Sequence, residues 1–398
     1  MIKNNFHEKI TLFLSFFILN NYLFLSLNFS TLFLKINFIL FLLGIVLFYF
    51  KNLSENAYLK IFFILIILIS LGTPVFDWAP RSIWLFHAKR IFYDNSIYTI
   101  ADNYAVFSHN DYPSLVPAFA ASLATLLGYW NEVLPKLSFT FIFLPPLVFA
   151  YTLFSNSKYL IFLSLVLFII GKYLFNGWSD GLIAVYFCLG SYLMFDLFIR
   201  KNKNIDKKII KYFIAFFFFI TLSLIKNEGL ALLLVLFFTT ICFCFIKKTI
   251  KENLLTIALL LTSFIPIFLW KYFCYSNGIF NEHINTSFMS NLIPRLKEFD
   301  NYFLIFKFLL LNEKFLFSLL IFVASFMYSR NKELFIFVSL ILGLYTIIIS
   351  LIFLGTPVDF YFQLNSSAAR IVKTLSFTLC FFALYNLSYK TLNKRELS

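Results

Sequence analysis

The chain has 398 residues, of which 61% are hydrophobic and only 13% charged, with a mean hydropathy of +0.85. A water-soluble domain carries roughly 25% charged residues, so a soluble enzyme or binding module is excluded. The net charge of +14 sits in short loops between apolar runs, which fits positive-inside topology and not a nucleic-acid partner. The 59 Phe point to AT-rich coding drift and lipid-facing bulk more than to function.

In chain order, apolar runs long enough to be spanning helices fall at 10–29, 33–50, 59–74, 137–154, 159–175, 180–199, 212–225, 229–246, 254–274, 315–329, 334–354 and 371–389. The expectation is an all-α polytopic membrane protein with about twelve spanning helices, organised as one transmembrane domain over 1–398. The N-terminal run follows Lys3 and Lys9 without a small-residue cleavage site, so it reads as a retained first helix. The run 114–130 is assigned differently. As a full crossing it would place the basic loop 200–212 outside, against the positive-inside rule. If it dips in or lies along the outer boundary, the cytoplasmic loops hold about 19 Lys/Arg against about 7 Asp/Glu, and the outer ones about 14 against about 12. Both termini are then cytoplasmic. The outer segments are a first loop at 75–136 with juxtamembrane helices, a second at 275–314 and a third at 355–370.

The five cysteines lie in or beside apolar runs with no zinc spacing and read as core thiols. With four His in the chain, and His283 lacking any partner motif, no His-based metal or nucleophile arrangement is visible. There is no P-loop, Rossmann fingerprint or GxSxG elbow.

The outer polar residues carry what chemistry there is. Asp77 follows a spanning helix and precedes Pro80, where a helix over 81–93 begins with Trp84, Ala88 and Ile91 on one side and Ser82 and Lys89 elsewhere. That pattern describes an interfacial helix. Asp77 there is either a capping, solvated carboxylate or a group meeting a lipid headgroup and a water-borne substrate. His109, Asp111, Tyr112 and two prolines mark the chain's return to apolar surroundings; Asp111 is either a turn former or the partner of Asp77. Two converging carboxylates suit general-base work, or shared ligation of a divalent cation such as Mg or Mn. Asp180 is either an N-cap or a site residue. Lys226 and Glu228 sit in a corner with no hydrophilic loop to solvate them, so they either pair or face a polar cavity. Arg370, preceded by Gln363, Ser366 and Ser367, opens a helix from the outer side and suits phosphate as well as snorkelling.

Taken together, an Asp after an N-terminal helix, a loop helix bearing Trp84 and Lys89, the H-x-D-Y-P-x-L-x-P element from His109 to Pro117, the K-N-E-G corner from Lys226 to Gly229 and the F-x-L-x-S-S-x-x-R stretch from Phe362 to Arg370 occur in a telling order. The chain resembles the GT-C superfamily of membrane glycosyltransferases, the group of protein O-mannosyltransferases and the lipid A aminoarabinose transferase, over about residues 60–375. The resemblance implies an inverting transferase that moves a sugar from a polyprenyl-phosphate donor to a lipid, glycan or protein acceptor. It implies a bacterial inner-membrane location, transfer on the non-cytoplasmic face, and no nucleic acid. By the same resemblance Asp77 acts as the base or positions the acceptor, Asp111 matches the second acidic element, and Lys226 and Arg370 contact donor phosphate; the cation at Asp77 and Asp111 rests on carboxylate chemistry alone, and Lys89 is a further expected phosphate contact. Trp84, His109, Tyr112, Asp180, Glu228 and Gln363 would line the substrate. In the family the first loop follows the first spanning helix, whereas here two further helices precede the one that leads into it, and no soluble C-terminal domain follows. The alternatives are a flippase or transporter for lipid-linked saccharide, and an O-antigen-type polymerase or ligase. The first needs polar residues through mid-membrane depth, and the second usually needs a large late loop.

Overall fold

The computed structural model of the protein describes residues 3–50, 57–98, 108–154, 156–199, 205–279 and 287–396. It is an all-α polytopic membrane protein, and the described residues contain no strand. His283 and part of the first loop, 99–107, lie outside the described residues.

The chain begins with α1 (Lys3–Ser26), α2 (Thr31–Phe50) and α3 (Ala57–Gly72). The first loop holds a wide turn at Pro80–Trp84, then α4 (Leu85–Asp94) and α5 (Leu115–Leu127). There follow α6 (Leu137–Tyr151), α7 (Asn156–Ile169), α8 (Asp180–Ile199), α9 (Ile205–Ile225) and α10 (Asn227–Lys247). The last third comprises α11 (Leu254–Thr262), α12 (Ile265–Ser276), α13 (Phe288–Arg295), α14 (Phe299–Leu309), α15 (Glu313–Ser329), α16 (Lys332–Gly355) and α17 (Phe360–Glu396).

Among the described residues, eight helical stretches are long and apolar enough to cross a bilayer, and α14 with α15, bent by 73° at their junction, make a ninth if they form one broken span. The count of twelve is not reached on that criterion. The three remaining expected spans became α3, α6 and α7, of 16, 15 and 14 residues. At 1.5 Å per residue they are about 21–24 Å long, short of a ~30 Å hydrocarbon core. Local sequence explains the stops. Pro74 follows α3, and Gly171, with φ near +53°, turns the chain after α7.

α5 has 13 residues, about 20 Å, and all but its last two are buried. It packs against α1, α2, α4 and α6, so it is inserted into the bundle and does not lie along its boundary. The expected pattern of the loop helix holds: Trp84, Ala88 and Ile91 are buried and Lys89 exposed. That apolar side, however, is covered by α5 and not by lipid. The third loop is shorter than its expected span, because α17 starts at Phe360 and takes in Gln363 to Arg370.

α8 is central, with 94% of its spanning window buried, and it packs chiefly on α9 and α17. A helix apolar all round is stable only when enclosed like this. Two glycines let its neighbours approach. At Gly181 a side chain would meet the Tyr173 carbonyl at 2.7 Å, and at Gly229 the Leu222 carbonyl at 1.9 Å. The starts of α8, α10 and α17 and the ends of α9 and α16 therefore share one end of the bundle. Asp196 with Lys211 (2.6 Å) and Lys247 with Glu333 (2.8 Å) pair at the other.

Candidate active site at one end of the bundle

That shared end encloses a cavity of about 790 Å³. Its wall includes Trp84, His109, Tyr112, Asp180, Lys226, Glu228, Gln363 and Arg370, all singled out in sequence. Ile349, Ile352 and Phe353 of α16 give it an apolar side.

The polar side begins with Lys226, the extended residue between α9 and α10. Its ammonium lies 2.9 Å from Glu228 Oε1 and 3.4 Å from Asp180 Oδ1. Burial alone would depress the Lys226 amine, but Asp180 and Glu228 outweigh it and hold the amine above its usual range. Asp180 is 4% exposed, whereas Glu228 keeps 28% of its side chain open. Arg370 stands one step away, Nη1 at 4.0 Å from Asp180 Oδ2 and the guanidinium 4.9 Å over the Trp178 ring. Its Nε donates to the Ser366 carbonyl and Nη2 to Ser367 Oγ, both at 3.3 Å, which fixes the fork. The pairing and cavity alternatives for the K-N-E-G corner are thus both true.

The aromatic side is stacked. Tyr112 lies 4.4 Å from His109 with the rings 10° apart, and 5.7 Å from Trp84. Burial pushes the Tyr112 hydroxyl above its usual range, and it likewise raises Tyr173, with Asp180 adding to the shift.

Asp77 and Asp111 are not on the cavity wall; each is hydrogen-bonded to a residue that is. Asp77 Oδ2 accepts from the Trp178 indole at 2.8 Å and the Asn176 amide at 3.0 Å, with the Lys172 ammonium at 3.6 Å. Its carboxylate stays 39% exposed, beside the cavity at the edge of the Trp178 indole whose face Arg370 covers. Asp111 is 3% exposed. Its Oδ2 accepts from Asn227 at 2.6 Å and Lys271 at 3.0 Å, and its carbonyl accepts from Trp270 and Lys271. Lys271 also donates to Asn227 Oδ1 at 2.6 Å, which locks α12 to the corner before α10.

Both carboxylates already hold N–H donors, and among the described residues no group of three or more His, Cys, Asp or Glu could hold a metal ion. The residues as arranged do not fit a shared Mg or Mn ion. Lys89 also lies apart from Lys226 and Arg370: it pairs with Glu132 at 3.4 Å beside a second cavity.

Several contributors went unremarked in the sequence. Lys271 could have been found, since it is a lone cation inside the run 254–274 and so poses the same solvation problem as Lys226. Lys172 posed the same problem inside the run 159–175, whereas Asn176 and Tyr173, uncharged, gave no such signal. No protein-family model, no curated protein and no solved structure matches the chain.

Proposed function

We propose that the protein is an inverting membrane glycosyltransferase of GT-C type, transferring a sugar from a polyprenyl-phosphate donor to an acceptor hydroxyl. The observation that carries this is the composition of one wall: Arg370 and Lys226 beside Asp180, Glu228 and the Trp178 indole, facing the aliphatic side of α16. A site of this size with convergent polar groups on an apolar lining suits an amphiphilic ligand. Lipid phosphate needs a cation at one end and apolar surface at the other.

In this reading the acceptor oxygen attacks the anomeric carbon, the bond from that carbon to the phosphate oxygen breaks, and the polyprenyl phosphate leaves with the electron pair. Asp77 takes the acceptor proton. Its Oδ2 is oriented by Trp178 and Asn176, and Oδ1 has no hydrogen bond among the described residues. Arg370, planar and permanently charged, receives the departing phosphate, with Lys226 behind it. Tyr112, His109 and Trp84 supply flat faces for the sugar and keep water from the reacting centre. Asp111 acts at one remove, holding Asn227 and Lys271. We place the chain in a bacterial inner membrane with this end outside and both termini in the cytoplasm, as the loop charges favour.

The flippase alternative asks for polar groups along the depth of the bundle, yet residues 182–189 of central α8 carry no charge. The test is turnover by purified protein with labelled polyprenyl-phosphate sugars and cell-envelope acceptors. Asp77→Asn should lower it about 10²–10⁴-fold, the range for a placed base. A folded Asp77→Asn protein with full turnover would sink the assignment.

A further inference from the structure

A second cavity, of about 680 Å³, opens behind the first loop and shares no wall residue with the first. Three cations face it, Arg81, Lys89 and Lys136, against one carboxylate, Glu132. Glu132 is already engaged, accepting from Trp130 Nε1 at 3.0 Å and from Lys89 at 3.4 Å, where both side chains are about half or more exposed. Arg81 is exposed and pairs with no carboxylate among the described residues. Lys136 is 1% exposed and its ammonium donates to the Thr73 carbonyl. Burial depresses its amine, so an anion nearby would relieve a standing cost.

The position of the cavity says what kind of anion. Its rim includes Gly72, the last residue of α3. Ile61, Leu65, Leu68 and Gly72 follow the spacing of one helix face, and the three side chains are 55%, 49% and 58% exposed. In a chain that spans a membrane, such an apolar stripe faces lipid. It runs up α3 to the cationic rim. A water-borne anion would gain nothing from the stripe, whereas an acyl chain lying on it would bring its headgroup to Arg81 and Lys89.

We propose that this second cavity is a binding site for the anionic, phosphate-bearing headgroup of a membrane lipid, with Arg81 and Lys89 as its outer contacts and Lys136 at its floor. The site is independent of the transferase reading, because no residue of the first cavity takes part. A bilayer phospholipid and a phosphorylated lipid acceptor share this chemistry.

Native mass spectrometry of the full chain released from nanodiscs of phosphatidylcholine and phosphatidylglycerol tests it. The intact protein should retain one more equivalent of phosphatidylglycerol than Arg81→Ala/Lys89→Ala, whose affinity should fall about fivefold per cation removed. Glu132→Gln, which removes the competing carboxylate, should bind about fivefold tighter. This gain keeps the test decisive if the double variant does not fold. Arg370→Ala should leave the retained equivalent in place. Equal retention by intact and double-variant proteins, or no gain in Glu132→Gln, would overturn the proposal. Displacement of the lipid by inorganic phosphate alone would overturn the lipid assignment. A phosphorylated acceptor lipid that competes with phosphatidylglycerol in the intact protein, and not in the double variant, would identify the second source.

Discussion

Replacing Lys226 with Met tests the electrostatic core of the first cavity. Lys226 has 7% of its side chain exposed and touches two carboxylates, Glu228 at 2.9 Å and Asp180 at 3.4 Å. Removing one partner of a buried pair costs roughly 3–5 kcal/mol, because the remaining charge is left buried. Two features put this case at the low end. Glu228 is 28% exposed and can be solvated, and Arg370 lies 4.0 Å from Asp180 and takes up part of the loss. A loss of about 3 kcal/mol at about 2 °C per kcal/mol lowers the unfolding midpoint by about 6 °C. The assay is tryptophan fluorescence of detergent-purified protein heated at one fixed rate, since membrane-protein unfolding is usually irreversible. Adding Asp180→Asn should restore about 2–4 °C, because it removes the carboxylate that was orphaned. A double variant that loses the sum of the two single effects would refute the coupling. An unchanged Lys226→Met midpoint would refute the burial argument itself.

Gly229→Ala should yield no monodisperse protein by gel filtration, because its Cβ would sit 1.9 Å from the Leu222 carbonyl oxygen. Gly343→Ala, where nothing lies within 4 Å, should behave as the parent does. Lys271→Met should destabilise by about 3 kcal/mol through Asp111, which is 3% exposed, and Asp111→Asn should partly restore the midpoint. On the transferase proposal Arg370→Lys keeps the charge but loses the planar contact over Trp178 at 4.9 Å, so kcat/KM for the donor should fall about tenfold; an unchanged kcat/KM would remove Arg370 from the proposed phosphate site.

The membrane class and the gathering of chemistry at one end were legible because both follow from the cost of placing charge in hydrocarbon. Few residues escape that constraint, so Lys226, Glu228 and Arg370 stood out in a chain that is 61% hydrophobic. The length of helices was less legible. A run of apolar residues reports burial, and burial can come from lipid or from protein. Residues 115–127 are apolar because α1, α2, α4 and α6 enclose them, and α5 in turn covers the apolar side of α4. Hydropathy cannot distinguish these environments, which is why α6, buried along its length, reads as a span, whereas α3 and α7 are cut short at Pro74 and Gly171.

The two aspartates show where sequence spacing stops being informative. Asp77 and Asp111 are separated by a loop whose path fixes whether they converge, and nothing in the residues between them specifies it. What separates their roles is the set of donors each meets. Asp111 meets an ammonium and two side-chain N–H groups from α12 and the α10 corner, and at 3% exposure it is spent on holding those elements. Asp77 meets an indole and an amide from residues 176–178, a corner with no charge to advertise it, and the largely exposed Lys172 ammonium at 3.6 Å. Those donors sit on one oxygen and leave the carboxylate 39% exposed. On the transferase proposal a base must be oriented yet reachable; Asp77 satisfies both conditions, whereas Asp111 satisfies only the first. Catalytic loss in Asp77→Asn with retained stability, against stability loss in Asp111→Asn, is therefore the pattern that this division of labour requires.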